Sequence, residues 1–218
     1  MRSKFDQQLA ALNQELTEMG TTCAQAIGLA AQALEQQDVA LAAPVGQLEV
    51  QTNEQERTIE ALCLKLLLQQ QPVARDLRQI SAALKMITDM ERIGDQAEDI
   101  AEIVAFLDGR QAENDALLKE MAKAVIQMVT ESVDAYVKCD IMLAKKVIAA
   151  DDVVDEQFAR VKQSLIGKIA ADPADGEYAL DLLMIAKYYE RIGDHATNIA
   201  EWVIYSVTGT HKDEITLT

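Results

Sequence analysis

Glu91-Arg92-Ile93-Gly94-Asp95 recurs 99 residues later as Glu190-Arg191-Ile192-Gly193-Asp194. Residues four apart on a helix share a face, so each copy sets two carboxylates side by side. Over 91–103 and 190–202, nine of thirteen positions are identical, including Ala97/Ala196, Ile100/Ile199, Ala101/Ala200 and Glu102/Glu201. Upstream, Glu49-x-x-x-Asn53 and Asp151-x-x-x-Asp155 repeat the same spacing, and Glu56 and Glu60 prolong the first of these stripes. In an antiparallel hairpin turning at Pro72, Asn53 and Glu91 each lie 19 residues from the turn, which sets the two pairs level across adjacent helices. Four oxygen-bearing side chains around one point suit a hard cation such as Mg, Mn or Fe, with Zn possible. The stripe is expected to run on through Asp99 in the first unit and Asn198 in the second, then through Glu102 and Glu201.

A plainer alternative is a solvated acidic face paired with Arg92, Arg191, Arg75 and Arg78, since exposed like charges four apart repel by only a few tenths of a kcal/mol. Duplication of the whole set favours cation binding over that alternative. Gly94 and Gly193 each cost roughly 1 kcal/mol relative to Ala in mid-helix. Something must therefore approach the backbone there, a neighbouring helix or a metal cluster.

Helices must carry these residues. Phe5, Leu9, Leu12, Leu16, Met19, Cys23 and Ile27 follow the three-and-four spacing of a one-sided helix, as do Leu118, Met121, Val125, Met128, Ser132, Ala135, Cys139 and Met142. Breaks at Gln71-Pro72, Asp108-Gly109-Arg110 and the run from Ala171 to Gly176 mark hairpins, and Asp38 and Asp140 are candidate N-caps. The expected helices span 2–36, 39–70, 73–107, 112–138, 141–170 and 176–207. With the repeat, this reads as an all-α chain of two tandem, pseudo-symmetric three-helix bundles, units 1–109 and 110–218. On the last helix the acids lie two positions, about 200°, from the apolar stripe Ile192, Ala196, Ile199 and Val203 and are expected to point away from its own core.

Composition narrows the function. The 218 residues carry 20 Lys and Arg against 36 Asp and Glu, a formal charge of −16, with 50% hydrophobic and 4% aromatic content. Such a balance repels nucleic acid, anionic lipid and bare phosphate. The N-terminus has no apolar signal-peptide core, and apolar runs such as Leu66-Leu67-Leu68 fall far short of a membrane span, so a cytoplasmic location without membrane insertion is expected. Cys23, Cys63 and Cys139 are read as reduced core thiols. The histidines are His195 and His211, and the residue three before His195 is Ile192, so the Glu-x-x-His pattern of di-iron bundles fails. No nucleophile–base set or phosphate loop is present, His195 is expected on the rim of the acidic stripe, and catalysis is not expected.

The doubled Glu-Arg-Ile-Gly-Asp motif, with Gln71-Pro72-Val73-Ala74-Arg75-Asp76-Leu77-Arg78 and the opening Phe5-Asp6-Gln7-Gln8-Leu9, resembles the PhoU family of phosphate-signalling regulators over essentially the whole chain. The resemblance implies a negative regulator of the phosphate-starvation response, and an adaptor between a phosphate ABC transporter, through its ATPase subunit, and a phosphate-sensing histidine kinase. A homodimer is expected. It further implies metal clusters held by Glu49, Glu91 and Asp95 in the first unit and by Asp151, Asp155, Glu190 and Asp194 in the second. Asn53 is a weaker, neutral ligand in place of a carboxylate, and Asn198 stands where the first unit has Asp99. Pro44 is expected to kink the helix before Glu49 and to threaten its place in the site. The rival is a metal-binding or storage bundle with no signalling role.

Overall fold

The computed structural model describes residues 2–70, 72–107 and 115–210. Six long helices account for most of them: α1 (Arg2–Gln36), α3 (Val45–Gln70), α4 (Ala74–Phe106), α5 (Asp115–Lys138), α6 (Ile141–Ala171) and α7 (Gly176–Thr208), with a short α2 (Val39–Ala42) and a 3₁₀ turn (Pro173–Asp175). The expected break at Gly109, the turn Asp108-Gly109-Arg110, the expected helix start at 112–114, Gln71 and His211 lie outside the described residues.

Local sequence explains the boundaries. Asp38 accepts from the Ala40 amide at 2.9 Å, and Asp140 accepts from the amides of Met142 and Leu143 at 2.9 and 3.0 Å, so both are N-caps. Each follows a residue held at positive φ, Gln37 at 54° and Cys139 at 52°. The same tight turn thus closes the first hairpin of both units. Cys139 therefore ends α5, and the expected seam from Leu118 to Met142 stops at Ala135: Met142 is 73% exposed on the next helix. Between Asp38 and Gln70, one expected helix is two, because Pro44 interrupts it with a turn at 43–44.

The stripes of α1 and α5 are buried as read, from Leu12 to Ile27 and from Leu118 to Ala135. α1, α3 and α4 form one bundle, and α5, α6 and α7 the other. The bundles join where α4 packs along α7, the most extensive helix pairing, and where α1 meets α5. α3 and α6 are the outer helices. Gln96 and His195, equivalent under the 99-residue repeat, face each other at 3.4 Å, so the internal two-fold axis passes between them. Tyr136 of α5, wholly buried, donates its hydroxyl to the Gln79 carbonyl of α4 at 2.8 Å and ties the units together near the other end. Cys23 and Cys63 are buried free thiols, both pushed up to about 12 by burial first.

The motif glycines answer to helix packing. A methyl at Gly94 would stand 3.2 Å from Thr52 Cγ2 of α3, and one at Gly193 would stand 3.3 Å from Asp151 Oδ1 and 3.6 Å from Val154 of α6. Thr52 is buried and holds the Leu48 carbonyl at 2.9 Å, so it cannot turn aside freely. Gly167, by contrast, has open space around it. Gly167→Ala should stabilise the protein by up to about 1 kcal/mol, and Gly94→Ala should destabilise it because overpacking costs about 1–3 kcal/mol against the same propensity gain. Urea denaturation should place the two variants on opposite sides of the parent chain.

Candidate functional site

Antiparallel packing puts the acids of each unit in a groove between its outer helix and its motif helix. Across α3 and α4, Gly46 faces Glu98, Thr52 faces Gly94 and Glu56 faces Thr88. These pairs are centred on residues 72–73, which is the register the spacing about Pro72 predicts. The Pro44 break leaves Glu49 in place, close enough to raise the carboxyls of both Glu91 and Glu98. Asn53 donates its amide to Glu49. Arg92 bridges the pair on its own helix, at 3.3 Å from Glu91 Oε2 and 3.0 Å from Asp95 Oδ2. Glu91 is raised chiefly by burial and then by Asp95, with Arg92 opposing. For Arg92, then, the plainer alternative of arginine pairing holds; Arg78 instead reaches the Ser206 carbonyl at 3.5 Å.

In the second unit Asp151, Asp155, Glu190 and Asp194 come together between α6 and α7. Burial, then Asp194, Asp155 and Glu190 in that order, push Asp151 up to about 6. Asp194 is raised by burial and by Glu190, with Lys187 and His195 opposing. Lys187 pairs with Glu190 and also lies 5.5 Å from the centre of the Phe158 ring. No ion pair joins Arg191 to Glu190 or Asp194 among the described residues.

Asp99 and Asn198, expected to continue the stripes, face the junction between the units instead. Asp99 accepts from the Tyr188 hydroxyl and lies near Arg191 of α7. Asn198 donates to Asp89 Oδ1 of α4 at 3.1 Å. The same oxygen meets His195 Nδ1 at 2.9 Å, so a proton on Nδ1 leaves Nε2 to accept from the Gln96 amide. His195 thus belongs to the junction rather than the acidic rim. Helix geometry explains the shift: each four-residue step advances 400°, so Glu91, Asp95 and Asp99 turn progressively from α3 towards α7.

Sequence reasoning missed Glu98, which is raised by burial and then by Glu49. Its position seven after Glu91 was the available signal, since that interval returns to the same face. Lys187, three before Glu190, could have been found by the same spacing.

The acids are half-buried or exposed along the grooves, not turned away from their bundles. The four carboxylates of the second unit carry one paired lysine, and their hard oxygens match a divalent or trivalent cation. In the first unit, Arg92 and Asn53 already engage three of the four donors. Among the described residues, no group of three or more His, Cys, Asp or Glu side chains is placed so that it could hold a metal ion. No helix among these residues is long and apolar enough to cross a membrane.

A family model described as the PhoU domain matches residues 16–104 and again residues 118–203. The phosphate-specific transport system accessory protein PhoU homologue of Clostridium acetobutylicum is 35% identical over 216 residues, covering 97% of this chain and 98% of its own length. The homologue of Pseudomonas aeruginosa is 34% identical over 217 residues, covering 99% and 90%. The crystal structure of PhoU from Pseudomonas aeruginosa superposes with a TM-score of 0.90 at 34% identity, covering 94% of this chain and 100% of that one. The phosphate transport system regulatory protein PhoU of Streptococcus pneumoniae superposes at 0.87 with 26% identity, covering 95% and 98%.

Proposed function

The chain belongs to the PhoU family, and on that premise we propose that it is a cytoplasmic accessory protein of a phosphate-specific transport system that holds down phosphate uptake and the phosphate-starvation response. It would act as a non-catalytic adaptor, a homodimer of chains each built from units 1–109 and 110–218. Its partners would be the ATPase subunit of the phosphate ABC transporter and the phosphate-sensing histidine kinase. The observation that carries this reading is the duplicated acidic groove, one on each flank of a chain matched twice by the PhoU domain.

Two grooves of one charge favour basic surfaces on protein partners, and complementary charge speeds encounter and sets register more than it adds affinity. Asp151, Asp155, Glu190 and Asp194 would hold a cation such as Mg, Mn, Fe or Zn in the second unit, with Glu49, Asn53, Glu91 and Asp95 the counterpart set in the first. Such an ion supplies charge neutralisation, and the protein residues determine where it sits.

The test is capture. Purified chain should retain the transporter ATPase and the kinase at physiological salt, and should lose them as salt rises. No capture of either would return the protein to a free-standing cation-binding bundle.

A further inference from the structure

We propose that the groove between α1 and α3 is the face on which a second copy of this chain docks, so that the homodimer is joined through its first units. This rests on the homodimer named in the function proposed above.

The groove has a volume of about 500 Å³ and is walled by Gln25 and Gln32 of α1 and by Gln47 and Gln51 of α3, with Leu29 and Leu48 as its apolar part. All four glutamines are exposed, and both leucines are partly buried against the core. Gly28 lies in the same groove, and a methyl there would meet nothing within 4 Å. A helix laid in the groove can therefore come close to the α1 backbone.

Charge identifies the occupant. Two copies that each carry −16 repel one another over most of their surfaces. Yet the chain has no charged residue from Met19 to Leu34, and none from Val39 to Leu48. The groove forms where these two stretches meet, so two copies can approach there without opposing like charges. Depletion of charge is also what marks the centre of a protein–protein contact. In a two-fold dimer each copy presents the face that it receives. A glutamine amide both donates and accepts, so a face of glutamines complements its own copy, which a face of one charge cannot do.

The second unit shows the same place closed. Gln37 and Cys139, the two hairpin residues at positive φ, lie 102 positions apart, and that offset relates Leu29 to Glu131 and Pro44 to Lys146. Lys146 reaches from α6 to Glu131 of α5 at 2.6 Å, and Gln127 donates to the same carboxylate at 2.8 Å. Lys138 and Asp134 add a further pair on that face. In the first unit a leucine and a proline stand where the bridging ions would be and can form no such pair. The open, neutral groove thus belongs to one unit only.

The experiment is sedimentation velocity on the full chain over a range of micromolar concentrations, with circular dichroism of every variant to confirm its helices. The parent should be a dimer that added salt leaves intact or tightens, because screening relieves the remaining repulsion. Gln25→Glu with Gln32→Glu sets carboxylate against carboxylate and should raise the dissociation constant at least about a hundredfold. Mixing that chain with one carrying Gln25→Lys and Gln32→Lys should restore a one-to-one dimer. Gln127→Glu with Thr130→Glu, the same added charge on the counterpart face, should dimerise like the parent. A dimer indifferent to the first pair of acids, broken equally by the second pair, or dissolved by salt overturns docking in the groove and leaves the homodimer standing. So does a Gln25→Glu, Gln32→Glu chain that still dimerises but loses capture of the ATPase or the kinase, which gives the groove to those partners. A parent that is monomeric throughout overturns the homodimer as well.

Discussion

Asp151→Asn combined with Asp194→Asn should leave the metal-free protein more stable than the parent at pH 7.5 and yet unable to hold down a phosphate-starvation reporter in phosphate-rich medium. The stability half follows from crowding. Asp151 titrates near 6 in the fold against 3.8 for the free side chain, because burial and then three neighbouring carboxylates disfavour its charge. Between those two values the folded state binds more protons than the unfolded state, so stability is full below about pH 4 and falls as pH rises through 6. Neutral amides remove that liability. After allowance for solvent screening, the gain at pH 7.5 should be on the order of 1 kcal/mol, vanishing by pH 3.5. Urea denaturation at the two pH values measures it. The functional half follows if the groove is where partners or a cation engage, and unchanged reporter output would remove the groove from the mechanism. A variant that is both better folded and inactive separates the role of these acids from any role in holding the bundle together.

Tyr136→Ala should be strongly damaging, costing about 3–5 kcal/mol by the cavity left when a fully buried ring is removed. That is a large share of the 5–15 kcal/mol that stabilises an ordinary domain. Tyr136→Phe isolates the hydroxyl. It keeps the packing and loses only the 2.8 Å bond to the Gln79 carbonyl, at about 1 kcal/mol. Calorimetry should then show a small downward shift for Phe and a large one for Ala. Equal shifts would mean that the bond, not the ring, joins α5 to α4.

Helix identity and the level placement of the acids were readable because they depend on local periodicity and on distances counted from a turn. The register about Pro72, the caps at Asp38 and Asp140 and the buried stripe of α1 all have that origin. The αL residue Cys139 was hidden because its apolar spacing continues across the hairpin, so the pattern of eight residues reads as one seam although a turn cuts it. The destinations of Arg92 and Arg191 could not be read for a different reason. Their local sequences are the same, and Asp99, which lies near Arg191, belongs to the other half of the chain, 92 positions away in sequence. Asp99 and Asn198 were placed in the grooves by extending a four-residue spacing one step too far, where the 40° excess per step had already carried them to the junction.

The face-to-face meeting of Gln96 and His195 on an internal axis has an evolutionary consequence. An interface of that kind is isologous: the same patch meets itself, as in a dimer of identical subunits. In such a dimer every substitution appears in both halves at once, and the two grooves would have to stay alike. A duplicated gene read as one polypeptide lifts that constraint. His195 opposite Gln96, Lys187 where the first half has Thr88, and Asn198 where it has Asp99 are differences that a dimer of identical subunits could not carry. Carrying both halves in one chain therefore leaves each groove free to change without the other.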